Sequence, residues 1–126
     1  MKIPSKIQLH KKSGTLEISY GEENFKLAAE YLRVYSPSAE VKGHGPGQEV
    51  LQFGKQNVKI NTIEPMGNYA IRIEFNDGHD SGIFTWEYLY DLGKNHTHHW
   101  ENYLNRLNKA GKSRDLEVSA VKIIQP

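Results

Sequence analysis

The sequence predicts an α+β domain: a small, mainly antiparallel sheet with two or three short helices. Three observations carry that expectation. Apolar and polar residues alternate at 15–20 and again at 69–76, the period of half-buried strands. Turn residues Lys12-Ser13-Gly14 and Asn76-Asp77-Gly78 join neighbouring segments closely enough to force antiparallel pairing. Trp100, Tyr103, Leu104, Leu107 and Ala110 then recur at helical spacing. A chain of 126 residues suits one domain, with its core over about 7–114 and residues 115–126 as a C-terminal strand or tail.

In chain order, Ile7–His10 and Thr15–Tyr20 form a predicted hairpin with one buried face. Gly21-Glu22-Glu23-Asn24 reads as a turn leading through Phe25-Lys26-Leu27 into a helix over 28–35, where Leu27, Tyr31 and Val34 share a face. Ser36-Pro37 ends that helix, because the residue before proline disfavours helical angles. Residues 42–57 contain four glycines and one proline and are expected to form a long loop. Val58–Ile63 and Tyr69–Phe75 are the next strands, and the Asp77-Gly78 pair closes a tight hairpin onto a strand through Ile83-Phe84, in a register that sets Asn76 opposite His79. Thr85 is the expected cap of a helix over 86–92 that stops at Gly93, and Thr97 and Gly111 are the expected ends of the last helix. Leu116, Val118 and Ala120 alternate ahead of Val121-Lys122-Ile123-Ile124, which suggests a final strand or docking segment.

Composition narrows the function. Sixteen basic and fifteen acidic residues leave a net charge of +1, which favours neither nucleic acid nor an anionic membrane as partner. Lys2, Lys6, Lys11 and Lys12 make the N-terminus locally basic, a pattern that suits a solvated tail and a protected edge strand. The absence of cysteine excludes disulfides, a thiolate nucleophile and Cys-ligated zinc or iron–sulfur clusters. No apolar run is long enough to span a bilayer, and MKIPSKIQLH lacks the apolar segment of a signal peptide, so a cytoplasmic protein is expected. Low hydrophobic content (37%) predicts a small core, enlarged by four Phe, two Trp and seven Tyr. Both tryptophans are expected in that core, and the aromatic content with an open edge strand fits a monomer or a weak homodimer.

Candidate chemistry lies in two places. Asp77, His79 and Asp80 share a turn and carry groups that suit zinc or ferrous iron, although neighbouring strand residues point to opposite faces. His96, His98 and His99 gather at a helix start, where the helix dipole keeps imidazole neutral and able to bind metal; no carboxylate completes a His-Glu-x-x-His pattern. The glycines at 43–47 lack the Lys-Ser or Lys-Thr pair of a phosphate loop, and neither Ser36 nor Ser81 sits in a nucleophile elbow. No cofactor and no catalytic constellation is read here.

The blocks YLRVYSPSAEV (31–41), Gly67-Asn68-Tyr69-Ala70, Asp77-Gly78-His79 and Gly82-Ile83-Phe84-Thr85-Trp86-Glu87-Tyr88-Leu89 occur in an order that resembles the gamma-butyrobetaine hydroxylase-like N-terminal domain family. The resemblance implies a small α+β domain, found alone in bacteria, ahead of 2-oxoglutarate-dependent hydroxylase domains, or attached to iron–sulfur cluster carrier ATPases. In the hydroxylases it implies a structural zinc held by three cysteines and a histidine. Those positions fall here on Ser36, Ser38, Val41 and His79, so one ligand of four remains. The resulting expectation is a non-catalytic accessory or protein-interaction domain, with an unidentified partner among iron–sulfur, redox or metal proteins. Its contact surface would contain Arg33, Tyr35, Ser36, Asp77, His79 and Asp80. The alternative is a small metal-binding protein using His79 with Asp77 or Asp80, or His96 with His98 or His99.

Overall fold

A computed structural model describes residues 2–115. The chain is α+β, and the antiparallel strands divide between two three-stranded sheets. Strands β1 (Lys6–His10), β2 (Thr15–Tyr20) and β3 (Glu23–Ala28) form the first sheet as a meander. Its inward residues meet across the strands as Ile7↔Ile18↔Phe25 and Leu9↔Leu16↔Leu27. The predicted turn at 21–24 is therefore shorter than expected, and β3 replaces the run into a helix. The two-residue connection Gly21-Glu22 suffices, with Gly21 at a φ of 65°, and the period-2 burial of Phe25 and Leu27 against their cross-strand partners overrides the helical reading.

The first helix, α1 (Ala29–Val34), is only six residues long, and all six are buried. A single turn, α2 (Ala39–Lys42), follows Pro37 and is capped by the Ser38 hydroxyl, which accepts a hydrogen bond from the Glu40 N–H at 3.2 Å. Residues 43–59 contain no helix or strand, as their glycine content predicts.

The second sheet comprises β4 (Ile60–Met66), β5 (Ala70–Phe75) and β6 (Ile83–Thr85), with β5 central. Pro65 is tolerated in β4 because that strand lies on the sheet edge. Ile71, Ile73 and Phe75 are buried in alternation, whereas Tyr69, predicted to join them, is 48% exposed at the strand start.

Thr85 caps α3 (Trp86–Lys94) by accepting from the Tyr88 N–H at 3.1 Å. The helix continues through Gly93 instead of stopping there. That glycine is required by packing: a Cβ would lie 2.5 Å from the Phe25 ring. Helix α4 (His96–Ala110) begins one residue before Thr97, with Asn95 between the helices, and ends at Gly111 with a φ of 66°. With the one-turn α2 the described residues hold four helices, against two or three expected. The segment predicted as a final strand, 116–124, lies outside the described residues.

One core joins both sheets to α1 and α3, with Leu16, Ile18, Leu32, Ile73, Phe84, Leu89 and Leu92 fully buried. A smaller cluster of Val34, Tyr103 and Leu107 seats α4. Trp86 belongs to the main core, and Trp100 packs against both clusters. Tyrosine hydroxyls stitch these layers to main-chain carbonyls: Tyr20 to Trp86, Tyr31 to Leu92 and Tyr35 to His99, each at 2.6 Å. Each ring buries apolar area while its polar tip stays paired. Glu30 and Arg114 add a bidentate pair at 2.7 and 2.8 Å, which fastens the end of the described chain to α1.

Candidate functional site

The β5–β6 hairpin brings the sequence-predicted turn against the segment between α1 and α2. Phe75 accepts from the Gly78 N–H (3.2 Å) and donates to the His79 carbonyl (2.9 Å), so Phe75, and not Asn76, stands opposite His79. This is a three-residue loop with Gly78 at a φ of 91°, a conformation an L side chain resists. One extra residue then enters the return strand before Ile83 pairs with Arg72. The irregular stretch turns the His79 side chain inward, where it is 2% exposed.

His79 Nε2 lies 2.8 Å from Ser36 Oγ, and Nδ1 lies 3.2 Å from Glu40 Oε2. A carboxylate has no proton to give, so Nδ1–H donates to Glu40 and Nε2 accepts from the Ser36 hydroxyl. Ser36 Oγ in turn accepts from the Ser38 N–H at 3.3 Å. Ser81 donates to the other Glu40 oxygen (3.3 Å), leaving Ser38 to donate to Ser81 at 2.7 Å. Every proton in this chain has one acceptor. Burial depresses the His79 pKa, with the Arg33 charge acting in the same direction and Glu40 and Asp77 opposing, so the ring is held neutral, as its two hydrogen bonds require.

Asp77 forms the second half of the corner. Its Oδ2 accepts from Arg33 Nε (2.9 Å) and Lys55 Nζ (2.7 Å), and its Oδ1 accepts from the His79 N–H (3.2 Å). Burial opposes the charge, but Lys55, the His79 amide and Arg33 outweigh it and hold the carboxyl at about 2. Arg33, itself buried, also donates to Gln52 at 3.0 Å.

Of the predicted surface residues, Arg33, Ser36, Asp77 and His79 thus converge. Two do not. Asp80 faces outward and pairs with Arg72 (3.6 Å), while Tyr35 turns its ring toward Tyr31 and His99. Ser38, which the resemblance places at a zinc-ligand position, Ser81, weighed only as a nucleophile, and Glu40, not singled out from the sequence, complete the cluster.

The order Ser36–His79–Glu40 is that of a hydrolytic triad, but the Ser36 hydroxyl is closed off. Ser36 is 1% exposed, and a Cβ on Gly82 would lie 2.3 Å from its Oγ, so a carbonyl has no space to approach from the Gly82 side. The donor set also does not fit zinc. Ser36 and Ser38 spend their hydroxyls on His79 and Ser81, and Val41, buried, offers no donor. His96, His98 and His99 do not meet at one point either: His96 lies against Tyr31, and His99 Nε2 bonds Asp91 at 2.9 Å, although the His98 and His99 rings lie 5.7 Å apart. Among the described residues, no three His, Cys, Asp or Glu side chains are placed to hold one ion. None of the described helices is long and apolar enough to cross a membrane.

Comparison with known proteins matches the family described as gamma-butyrobetaine hydroxylase-like, N-terminal, over residues 7–90. The chain belongs to this family. The match is to the N-terminal domain and not to an oxygenase domain. Among solved structures, one NMR solution structure is 57% identical with a TM-score of 0.81, covering 91% of each chain. A second is 50% identical with a TM-score of 0.77, covering 90% of this chain and 86% of the other. A crystal structure from Acidithiobacillus ferrooxidans, of a protein of unknown function in the DUF971 family, is 33% identical with a TM-score of 0.61, covering 73% of this chain and 93% of its own. No curated protein matches the chain.

Proposed function

We infer that this chain acts as a non-catalytic protein-interaction module. The observation that carries this reading is the closed hydrogen-bond chain from Ser36 through His79 and Glu40 to Ser81 and Ser38, in which the reactive groups serve as a structural pin. A site evolved for turnover needs a reacting atom within reach of substrate, and the Ser36 hydroxyl offers none. The pin instead fixes the β5–β6 hairpin to the α1–α2 segment and presents a rigid corner with Asp80 and Glu40 on its outer side. A preorganised surface lowers the ordering cost of binding a partner. Proteins of iron–sulfur or redox chemistry are the partner class we favour, because the family resemblance associates the domain with that company.

Affinity capture from the native cell tests the reading, using wild-type bait and an Asp80→Lys bait. Asp80 is surface-exposed, so the reversal should alter stability by no more than about 0.5 kcal/mol. We expect at least one protein to be enriched by wild type and reduced with the variant. Failure to enrich any protein over a control bait would overturn the reading, as would ester or amide hydrolysis that disappears in a folded Ser36→Ala variant.

A further inference from the structure

A small cavity opens beside the pin, between α1, α2, α3 and α4. Val34, Ser36 and Val41, all buried, form its inner part, and Tyr35 and Tyr88 line it. The Tyr88 hydroxyl donates to the Tyr35 carbonyl at 2.6 Å, so the aromatic lining is fixed before anything binds. Its volume of about 120 Å³ is below the ~300–1,000 Å³ of small-molecule and cofactor sites and suits one side chain. The apolar area continues outward: Val50, 51% exposed, is tied to the Val41 carbonyl through its N–H at 2.8 Å.

The mouth is charged asymmetrically. Lys42 and Arg106 both line it, and neither forms an ion pair among the described residues. Lys42 Nζ lies 4.9 Å from the Tyr88 ring centroid, and Arg106 extends from α4. The one carboxylate at the rim, Glu49, accepts from the Gly47 N–H at 2.9 Å and so is engaged with its own loop. Two cations beside a preformed apolar pocket of one-residue size favour an apolar anchor with carboxylates next to it.

We propose that this cavity is the anchor pocket for an acidic peptide segment of a partner protein, taking one leucine-sized side chain while Lys42 and Arg106 receive flanking carboxylates. The proposal rests on the interaction-module reading and names the chemistry of its partner.

The direct test titrates ¹⁵N-labelled protein with a capped peptide carrying one leucine between two pairs of glutamates. Two controls replace the glutamates by glutamine or the leucine by glycine. Amide shifts should change saturably around Tyr35, Val41, Val50, Tyr88 and Arg106, with a Kd in the millimolar range or tighter, and each control should bind at least about tenfold more weakly. Lys42→Glu combined with Arg106→Glu should abolish the response while leaving the rest of the spectrum in place. Absence of saturable shifts up to about 5 mM peptide, shifts centred elsewhere, or equal responses to all three peptides would overturn the pocket. The same double variant used as capture bait separates the two claims. A partner retained by it removes the pocket and leaves the module reading standing; no partner for wild type removes the module reading, while the titration still judges the pocket.

Discussion

His79 and the histidines at 96–99 look alike in sequence, as imidazoles near carboxylates or at a helix start, yet the fold treats them in opposite ways. His79 is alone in its hairpin but meets Ser36 and Glu40, residues far earlier in the chain, and both ring nitrogens are consumed there. The three helix histidines are neighbours in sequence but share no common centre: one lies against Tyr31, one bonds Asp91, and the exposed third has its ring 5.7 Å from that of His99. Sequence proximity on a helix sends adjacent side chains about 100° apart, whereas a hairpin packed on a loop makes remote residues converge. The isolated histidine is therefore the organised one.

The most drastic way to sharpen this contrast is to give His79 back the ligand set that the family resemblance places around it. Ser36→Cys with Ser38→Cys and Val41→Cys should convert the pin into a four-ligand site, because Ser36 Oγ already lies 2.8 Å from His79 Nε2. The triple variant should take up about one equivalent of zinc and melt well above its metal-free form, since a ligand bound only by the native state raises stability by mass action. Elemental analysis and thermal melts with and without zinc check this. Zinc uptake by the unaltered chain that His98→Ala removes would show instead that the helix histidines are the metal-binding ones.

A smaller effect separates the two regions without any metal. His79→Ala leaves Ser36 and Glu40 without their shared partner and opens a void in the corner, so it should cost about 2–4 kcal/mol in urea unfolding. His98→Ala, at an exposed position, should stay within about 0.5 kcal/mol. Equal losses at the two sites would break the distinction between a pinned histidine and a solvated one.

Much of this arrangement was legible before the fold was known. The strands at 7–10, 15–20 and 69–75 and the cap at Thr85 follow from alternation and turn chemistry, and the family resemblance places His79 beside Ser36. What escaped the sequence depends on partners far along the chain. Phe25 and Leu27 satisfy a strand or the approach to a helix equally until β2 supplies Ile18 and Leu16. Gly93 resembles a helix stop and is in fact the contact surface of Phe25. Glu40 reads as one more solvated acid, and only the return of the hairpin gives it His79 and Ser81 as donors. The pairing of Glu30 in α1 with Arg114 near the end of the described residues leaves no local trace.

The finest test of the contrast is pH. The folded chain holds His79 neutral because burial lowers its pKa, whereas the unfolded chain protonates it near the ordinary value of about 6.5. Below that pH the unfolded state binds the extra proton, so the His79 contribution to stability is present above about 6.5 and is lost as pH falls toward the folded value. Asp77 acts in the same direction in a lower window. Its contribution is present above about 3.9, the ordinary carboxyl value, and disappears as pH falls toward its folded pKa of about 2. Unfolding free energies measured from pH 7.5 to 5 should therefore fall more steeply for wild type than for His79→Gln, which cannot titrate, while Asp77→Asn should run parallel to wild type over that range, less stable by the Asp77 contribution, and the gap should close only below about pH 4. A His79→Gln variant with the wild-type slope would mean that the ring takes up its proton as freely in the folded corner as in the open chain. That result would remove the neutral Ser36–His79–Glu40 relay on which the contrast with the helix histidines depends.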